Sequence, residues 1–249
     1  MADRVHRGTV FGTEAAAYAA HRPGYAAAAI RWALAPLGPS ARPRVLDVGA
    51  GTGKLTEGLV ALPVQTVAVE PDPAMLAELT ARLPQVEARI GTAERIPLPD
   101  ASVDAVLVGT AMHWFDPHRA IPEFARVLRP GGVFAPLANV VDDRVDWVAG
   151  YAVAAGGLPS HRNNSARRPV RHPGFSRFEL AEFPHTQRRT AAGLVATVAT
   201  HSDTLMRPAD QRAAKLNRLA AYLRGRPETE GEFDLPLVTL AQRARLEPA

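Results

Sequence analysis

The chain has 249 residues, 47% of them hydrophobic, and 29 basic against 25 acidic side chains, for a formal net charge of +4 at neutral pH. This composition allows a sizeable globular core, and length alone leaves one large domain or two small ones open. There is no cysteine, which excludes disulfides, thiolate nucleophiles and cysteine metal centres, and no apolar run reaches membrane-spanning length.

Taken in order, residues 8–35 contain alanine runs that favour helix, split into two pieces by Pro23-Gly24. An amphipathic helix packed on a sheet is the simplest reading of this segment. Asp3, Arg4, His6, Arg7, Glu14, His21 and Arg22 interrupt any signal-like apolar core, so a soluble cytoplasmic protein is the default expectation. Residues 44–55 read R-V-L-D-V-G-A-G-T-G-K-L. Val45 to Val48 is a buried strand interrupted by one carboxylate, Asp47, and Gly49, Gly51 and Gly53 follow at alternate positions. Glycine suits a tight strand-to-helix turn because it takes positive φ and lets a ligand lie against the backbone. A helix beginning near Lys54 points its free N–H groups into the same crevice.

V-Q-T-V-A-V-E predicts a second strand ending in Glu70, and Asp72-Pro73 reads as a helix N-cap followed by the first helical residue, with Met75, Leu76, Leu79 and Leu83 at helical spacing. Glu70 follows the glycine turn by about the 20 residues at which an acid takes a ribose diol in βαβ nucleotide folds. An ionised carboxylate accepts both hydroxyl hydrogens. A strand around Val86 to Ile90 leads into the loop G-T-A-E-R-I-P-L-P-D, and S-V-D-A-V-L-V-G-T is an almost wholly apolar fourth strand, as expected of one covered on both faces. That strand runs straight into A-M-H-W-F-D, and Asp116-Pro117 opens a helix carrying Ile121, Phe124, Ala125 and Leu128 on one face. The helix is expected to stop at R-P-G-G, the glycines serving as termination and turn, and V-F-A-P-L-A-N-V continues as a strand. Arg177 to Arg189 predicts a strand with a polar end, Ala191 to Leu223 two helical stretches broken near Pro208, and G-E-F-D-L-P-L-V-T-L-A-Q-R-A-R-L a final strand.

V-L-D-V-G-A-G-T-G resembles the first motif of the class I S-adenosylmethionine-dependent methyltransferases, in their small-molecule, type 11 group, and Glu70 fits the second. The resemblance implies an α/β three-layer Rossmann-like fold, with a seven-stranded, mostly parallel sheet, an antiparallel last strand and a helical cap. It implies one domain over 1–249, with an N-terminal cap segment at 8–35, a cofactor-binding core at 44–140, and cap helices and final strands at 141–249. S-adenosylmethionine is the implied cofactor and S-adenosylhomocysteine the product. By position, Tyr18 and Arg22 fall at the cofactor's methionine end, and Asp47, whose carboxylate suits an ammonium or a neighbouring loop, lies on the turn formed by Gly49, Ala50, Gly51, Thr52 and Gly53. Glu70 takes the ribose, Ala93 and Glu94 border the adenine, and Pro71, Met75, Thr110 and Trp114 complete the expected cofactor set.

His113, Trp114 and Phe115 arrive together at a strand end, where open α/β sheets bind ligands. Aromatic walls exclude water, and His113 is the candidate base or donor near neutral pH; a plain core role for the aromatics, and a merely orienting one for His113, stand beside that reading. No metal site is expected. The H-W-F-D stretch and the N-terminal pattern look most like the trans-aconitate methyltransferase group, which esterifies carboxylates, and cap arginines suit an acidic small-molecule acceptor. Nucleic acid is disfavoured. The charge excess is small, the cluster Arg162, Arg167, Arg168, Arg171, His172 and Arg177 lacks interleaved aromatics before Phe175 and Phe178, and G-T-A-M-H-W stands where amino-methylating nucleic-acid enzymes carry Asp/Asn-Pro-Pro-aromatic. The rivals are an NAD-dependent oxidoreductase, disfavoured by Asp47 and by G-x-G-x-G in place of G-x-G-x-x-G, and a cofactor-binding partner or regulatory protein without turnover. Acceptor, methylated atom and oligomeric state are not encoded in any motif.

Overall fold

The computed structural model describes residues 23–38, 42–157 and 173–247. Strands β1 (Arg44–Val48), β2 (Gln65–Glu70), β3 (Glu87–Ile90), β4 (Val103–Gly109), β5 (Leu128–Val141), β6 (Glu179–Thr190) and β7 (Glu232–Arg245) form one seven-stranded sheet in the order β3-β2-β1-β4-β5-β7-β6. The first five run parallel, whereas β7 is antiparallel to both β5 and β6. Helices α1 (Ala27–Leu34), α2 (Lys54–Val60), α3 (Pro73–Arg82) and α4 (Pro117–Val127) flank it, and α5 (Asp146–Ala154), α6 (Ala191–Ala199), the short α7 (Ser202–Leu205) and α8 (Ala209–Arg224) belong to the C-terminal part. None of the described helices is long and apolar enough to cross a membrane.

β1 and β4 are central, and their residues Val45, Leu46, Val48, Val106, Leu107 and Val108 are buried on both sides. One face of the sheet meets α4 through Ile121, Phe124 and Val127. The other meets α1 and α2 through Ala29, Ile30, Ala33, Leu55 and Leu59. Both Asp-Pro helix starts form as their chemistry dictates. Asp72 accepts the amides of Ala74 and Met75, and Asp116 accepts that of His118.

R-P-G-G behaves otherwise than its glycines predict. α4 ends at Val127, with Leu128 already extended, and Gly131, at φ +76°, lies inside β5. There the register jumps from Val103 opposite Leu128 to Ala105 opposite Val133. The extra residues bulge out of the ladder, so the glycines shape an irregular strand start and do not terminate the helix.

Helices α5, α6 and α8 bury Trp147, Tyr151, Leu194, Val198, Leu219 and Leu223 against Phe233, Leu235 and Leu237 of β7. Lys215 of α8, 2% exposed, donates to Asp203 Oδ2 at 2.7 Å and to Thr204 Oγ1 at 2.8 Å, which pins α7. α7 in turn presses Leu205 on Met75, which also touches Trp114. The C-terminal helices thereby reach the residues that follow β2 and β4.

Candidate active site

The strand order reverses between β1 and β4, so the loops leaving their C-terminal ends diverge and open a crevice. Its walls are Asp47, Gly49, Ala50, Gly51 and Thr52 from β1 and its turn, Lys54 and Leu55 of α2, Gly109 and Thr110 after β4, Pro23 and Tyr25 before α1, and Asn139 of β5; with its mouth it holds about 550 Å³ of empty space.

The turn is built from both sides. Gly49 and Ala50 donate to the Val69 carbonyl at 2.9 and 3.2 Å, and Gly51 donates to Glu70 Oε2 at 2.8 Å. Gly49 has φ +68°, and a Cβ there would meet Ala111 Cβ at 2.9 Å and Phe115 Cζ at 3.0 Å. Gly51, at φ +56°, has nothing nearer than Met75 Sδ at 3.8 Å. Packing therefore requires the first glycine, while at the second a Cβ would make only an ordinary contact among the described residues, so its backbone lines the crevice.

Asp47 is fully buried, and its Oδ2 accepts the Thr56 hydroxyl at 2.7 Å. Its Oδ1 is buried with no hydrogen-bond partner among the described residues, as is Thr52 Oγ1. Burial pushes the Asp47 carboxyl up to about 7, the Glu70 charge adds to this, and the Thr56 bonds oppose it. Glu70, 5% exposed, is also raised by burial, against the lowering effect of the Asp72 and Gly51 amides that it accepts. Burial lowers the Lys54 ammonium, with Glu57 opposing and Arg82 and Arg189 contributing.

Across the crevice, Tyr25 Oη and Thr110 Oγ1 are 2.8 Å apart. Thr110 takes φ +54°, an outlier for a β-branched residue and a mark of strain of the kind that clusters at functional sites.

Of the residues singled out from sequence, Asp47, Gly49, Ala50, Gly51, Thr52 and Thr110 meet in this crevice. Gly53 instead caps α2, in the left-handed region. Glu70 lies beneath the turn, and Met75 beside Trp114. Ala93 is core, and Glu94 Oε1 accepts the Asp116 amide at 2.9 Å, tying the loop after β3 to the start of α4. Pro71 is exposed and lies outside the crevice lining, as does His113, whose ring sits 4.7 Å from that of Trp114. Tyr18 and Arg22 lie outside the described residues. Tyr25 and Asn139 escaped the sequence reading. Each carried a faint signal: Tyr25 closes R-P-G-Y, and Asn139 is an amide in an otherwise apolar strand.

The methyltransferase domain model matches residues 46–135. An uncharacterized methyltransferase of Mycobacterium tuberculosis (strain H37Rv) is 43% identical over 240 residues, 95% of each chain. This chain belongs to the class I S-adenosylmethionine-dependent methyltransferases. An uncharacterized methyltransferase-like protein of Schizosaccharomyces pombe is 30% identical over 257 residues, covering 100% of both chains. The solved structure of a putative type II methyltransferase from Anaeromyxobacter dehalogenans superposes with a TM-score of 0.68 at 30% identity, over 92% of this chain and 99% of that one. The methyltransferase sheet is thus the seven-stranded one expected, with β7 antiparallel beside β5.

Proposed function

We propose that this methyltransferase binds S-adenosylmethionine in the crevice between β1 and β4 and passes the methyl group to a small-molecule acceptor, leaving S-adenosylhomocysteine. The observation that carries the reading is Asp47 Oδ1, a buried carboxylate oxygen with no hydrogen-bond partner among the described residues, in the wall of a glycine-lined crevice. A group so placed is costly unless a cation meets it, and the cofactor's α-ammonium is such a cation. Bound there, the cofactor supplies a methyl group already activated by its sulfonium.

The residues' own work is holding and shielding. The bare backbone at Gly51 admits close approach, Asp47 would receive the ammonium, and Glu70 supports the turn and is assigned to the ribose hydroxyls. Tyr18 and Arg22 are assigned to the methionine end. Ala93 and Glu94 are assigned to the adenine side, with Pro71, Met75 and Trp114. Aligning acceptor atom, methyl and sulfur supplies much of the rate. A base is needed only where the acceptor atom must lose a proton, and His113 is the residue whose substitution tests that need. Lys54, in the crevice wall, is the side chain assigned to an acidic acceptor.

The test is calorimetric titration with S-adenosylmethionine, S-adenosylhomocysteine and NAD, followed by transfer of labelled methyl to carboxylates, amines and phenols. Saturable binding of the first two, lost in Asp47→Ala, is expected. Binding of NAD alone overturns the reading, and donor binding without transfer to any acceptor class turns it into that of a non-catalytic partner.

A further inference from the structure

The backbone just ahead of α1 carries Tyr25 into the crevice and is where residues 1–22 join the described chain. Two side chains hold it. Asn139 Nδ2 donates to the Gly24 carbonyl at 2.7 Å, and the Ala26 amide donates to Thr239 Oγ1 at 3.0 Å. Asn139 and Thr239 face each other across the β5–β7 ladder, and Thr239 Oγ1 lies 2.6 Å from Asn139 Oδ1. His185 Nε2 is 3.2 Å from the same hydroxyl.

A count of protons leaves one arrangement. The Gly24 carbonyl only accepts, so the Asn139 nitrogen faces it and Oδ1 faces Thr239. Oδ1 also only accepts, so the Thr239 proton points at it. The Thr239 oxygen then has only lone pairs to offer Ala26 and His185, and His185 Nε2 must carry a hydrogen. Thr239 is 0% exposed. The ladder between the strands is made by backbone groups, so a valine would serve β7 equally well and spare the burial of a hydroxyl. The bonds that Thr239 and Asn139 do make run to the residues on either side of Tyr25.

We propose that Thr239 and Asn139 are positioning residues for the donor crevice, clamping Gly24 and Ala26 so that Tyr25 stays against Thr110. The proposal rests on the reading of the crevice as the S-adenosylmethionine site. It also links β6, through His185, to the donor side of the sheet.

Thr239→Val and Thr239→Ser, made in the full chain, test it by hydrogen exchange across residues 23–30 and by steady-state kinetics. In Thr239→Val the Ala26 amide is expected to exchange faster, and the donor KM to rise by about tenfold with a smaller change in kcat; Thr239→Ser restores both. Unchanged exchange at Ala26 together with unchanged donor KM in Thr239→Val overturns the clamp. In the wild-type protein, nitrogen NMR of His185 is expected to show Nε2 protonated, and a bare Nε2 overturns the proton arrangement even if a valine variant fails to fold. Should the wild type bind no S-adenosylmethionine, the functional reading fails by itself, and exchange at Ala26 still decides the clamp.

Discussion

Glu70 Oε2 accepts the amide of Gly51 at 2.8 Å, joining the end of β2 to the turn after β1 across 19 residues. Its other oxygen accepts the Asp72 amide at 3.0 Å, so one carboxylate holds the glycine turn and the entrance to α3 together. The acid that sequence spacing assigns to a ribose is also a structural bracket.

Glu70→Ala is therefore expected to lose donor affinity by about a hundredfold and stability by about 1–3 kcal/mol, because one buried and one part-buried amide lose their acceptor. Glu70→Gln should rescue poorly, since its NH₂ meets an amide N–H whichever way it turns. Calorimetry and thermal denaturation of both variants measure this. Full donor affinity in Glu70→Gln would show that the bracket does not shape the crevice.

Asp47 predicts a pH dependence. Its carboxyl is raised to about 7 in the free protein, chiefly by burial, and an ammonium beside Oδ1 favours the ionised form. Donor binding should therefore release a proton below that value, and affinity should weaken as pH falls through it, by up to about tenfold per unit. The ligand's own amine stays protonated over that range. Calorimetry in buffers of different ionisation enthalpy reads the proton, and Asp47→Asn should flatten the profile.

Two glycines of the turn should respond differently. Gly49→Ala combines a left-handed φ with contacts of 2.9 and 3.0 Å to Ala111 and Phe115 and is expected to cost about 3 kcal/mol. Gly51→Ala meets no atom nearer than 3.8 Å and should cost only about 1–2 kcal/mol of backbone strain, yet weaken donor binding more than it weakens the fold. Denaturant midpoints set beside binding constants separate the two.

His113 is exposed and lies outside the crevice lining. Its replacement by alanine should change kcat by less than about threefold, whereas loss of a general base costs about a hundredfold or more. Single-turnover rates decide, and a large drop would support the base role that its place at a strand end suggested.

What was legible in the chain was what neighbours in sequence decide. The turn after β1, the N-caps at Asp72 and Asp116, and the buried strands follow from glycine's φ range, from a short acceptor side chain ahead of a helix, and from β-branched runs. R-P-G-G misled because glycine after a helix signals termination, whereas pairing with β4 drew it into a bulged strand.

The sequence by itself determined the central strands, the helix starts at Asp72 and Asp116, the glycine turn and the acid that follows it at Glu70, since each depends on local backbone preference and on a spacing that topology turns into proximity. Only the tertiary structure decided that β7 enters between β5 and β6, that Asn139 meets Thr239, and that Tyr25 closes on Thr110. Those partners stand 100 and 85 residues apart, and no periodicity or propensity carries information over such distances. They meet because packing helices on both sheet faces brings these segments together, and Thr239, shut off from water, finds its acceptor in Asn139.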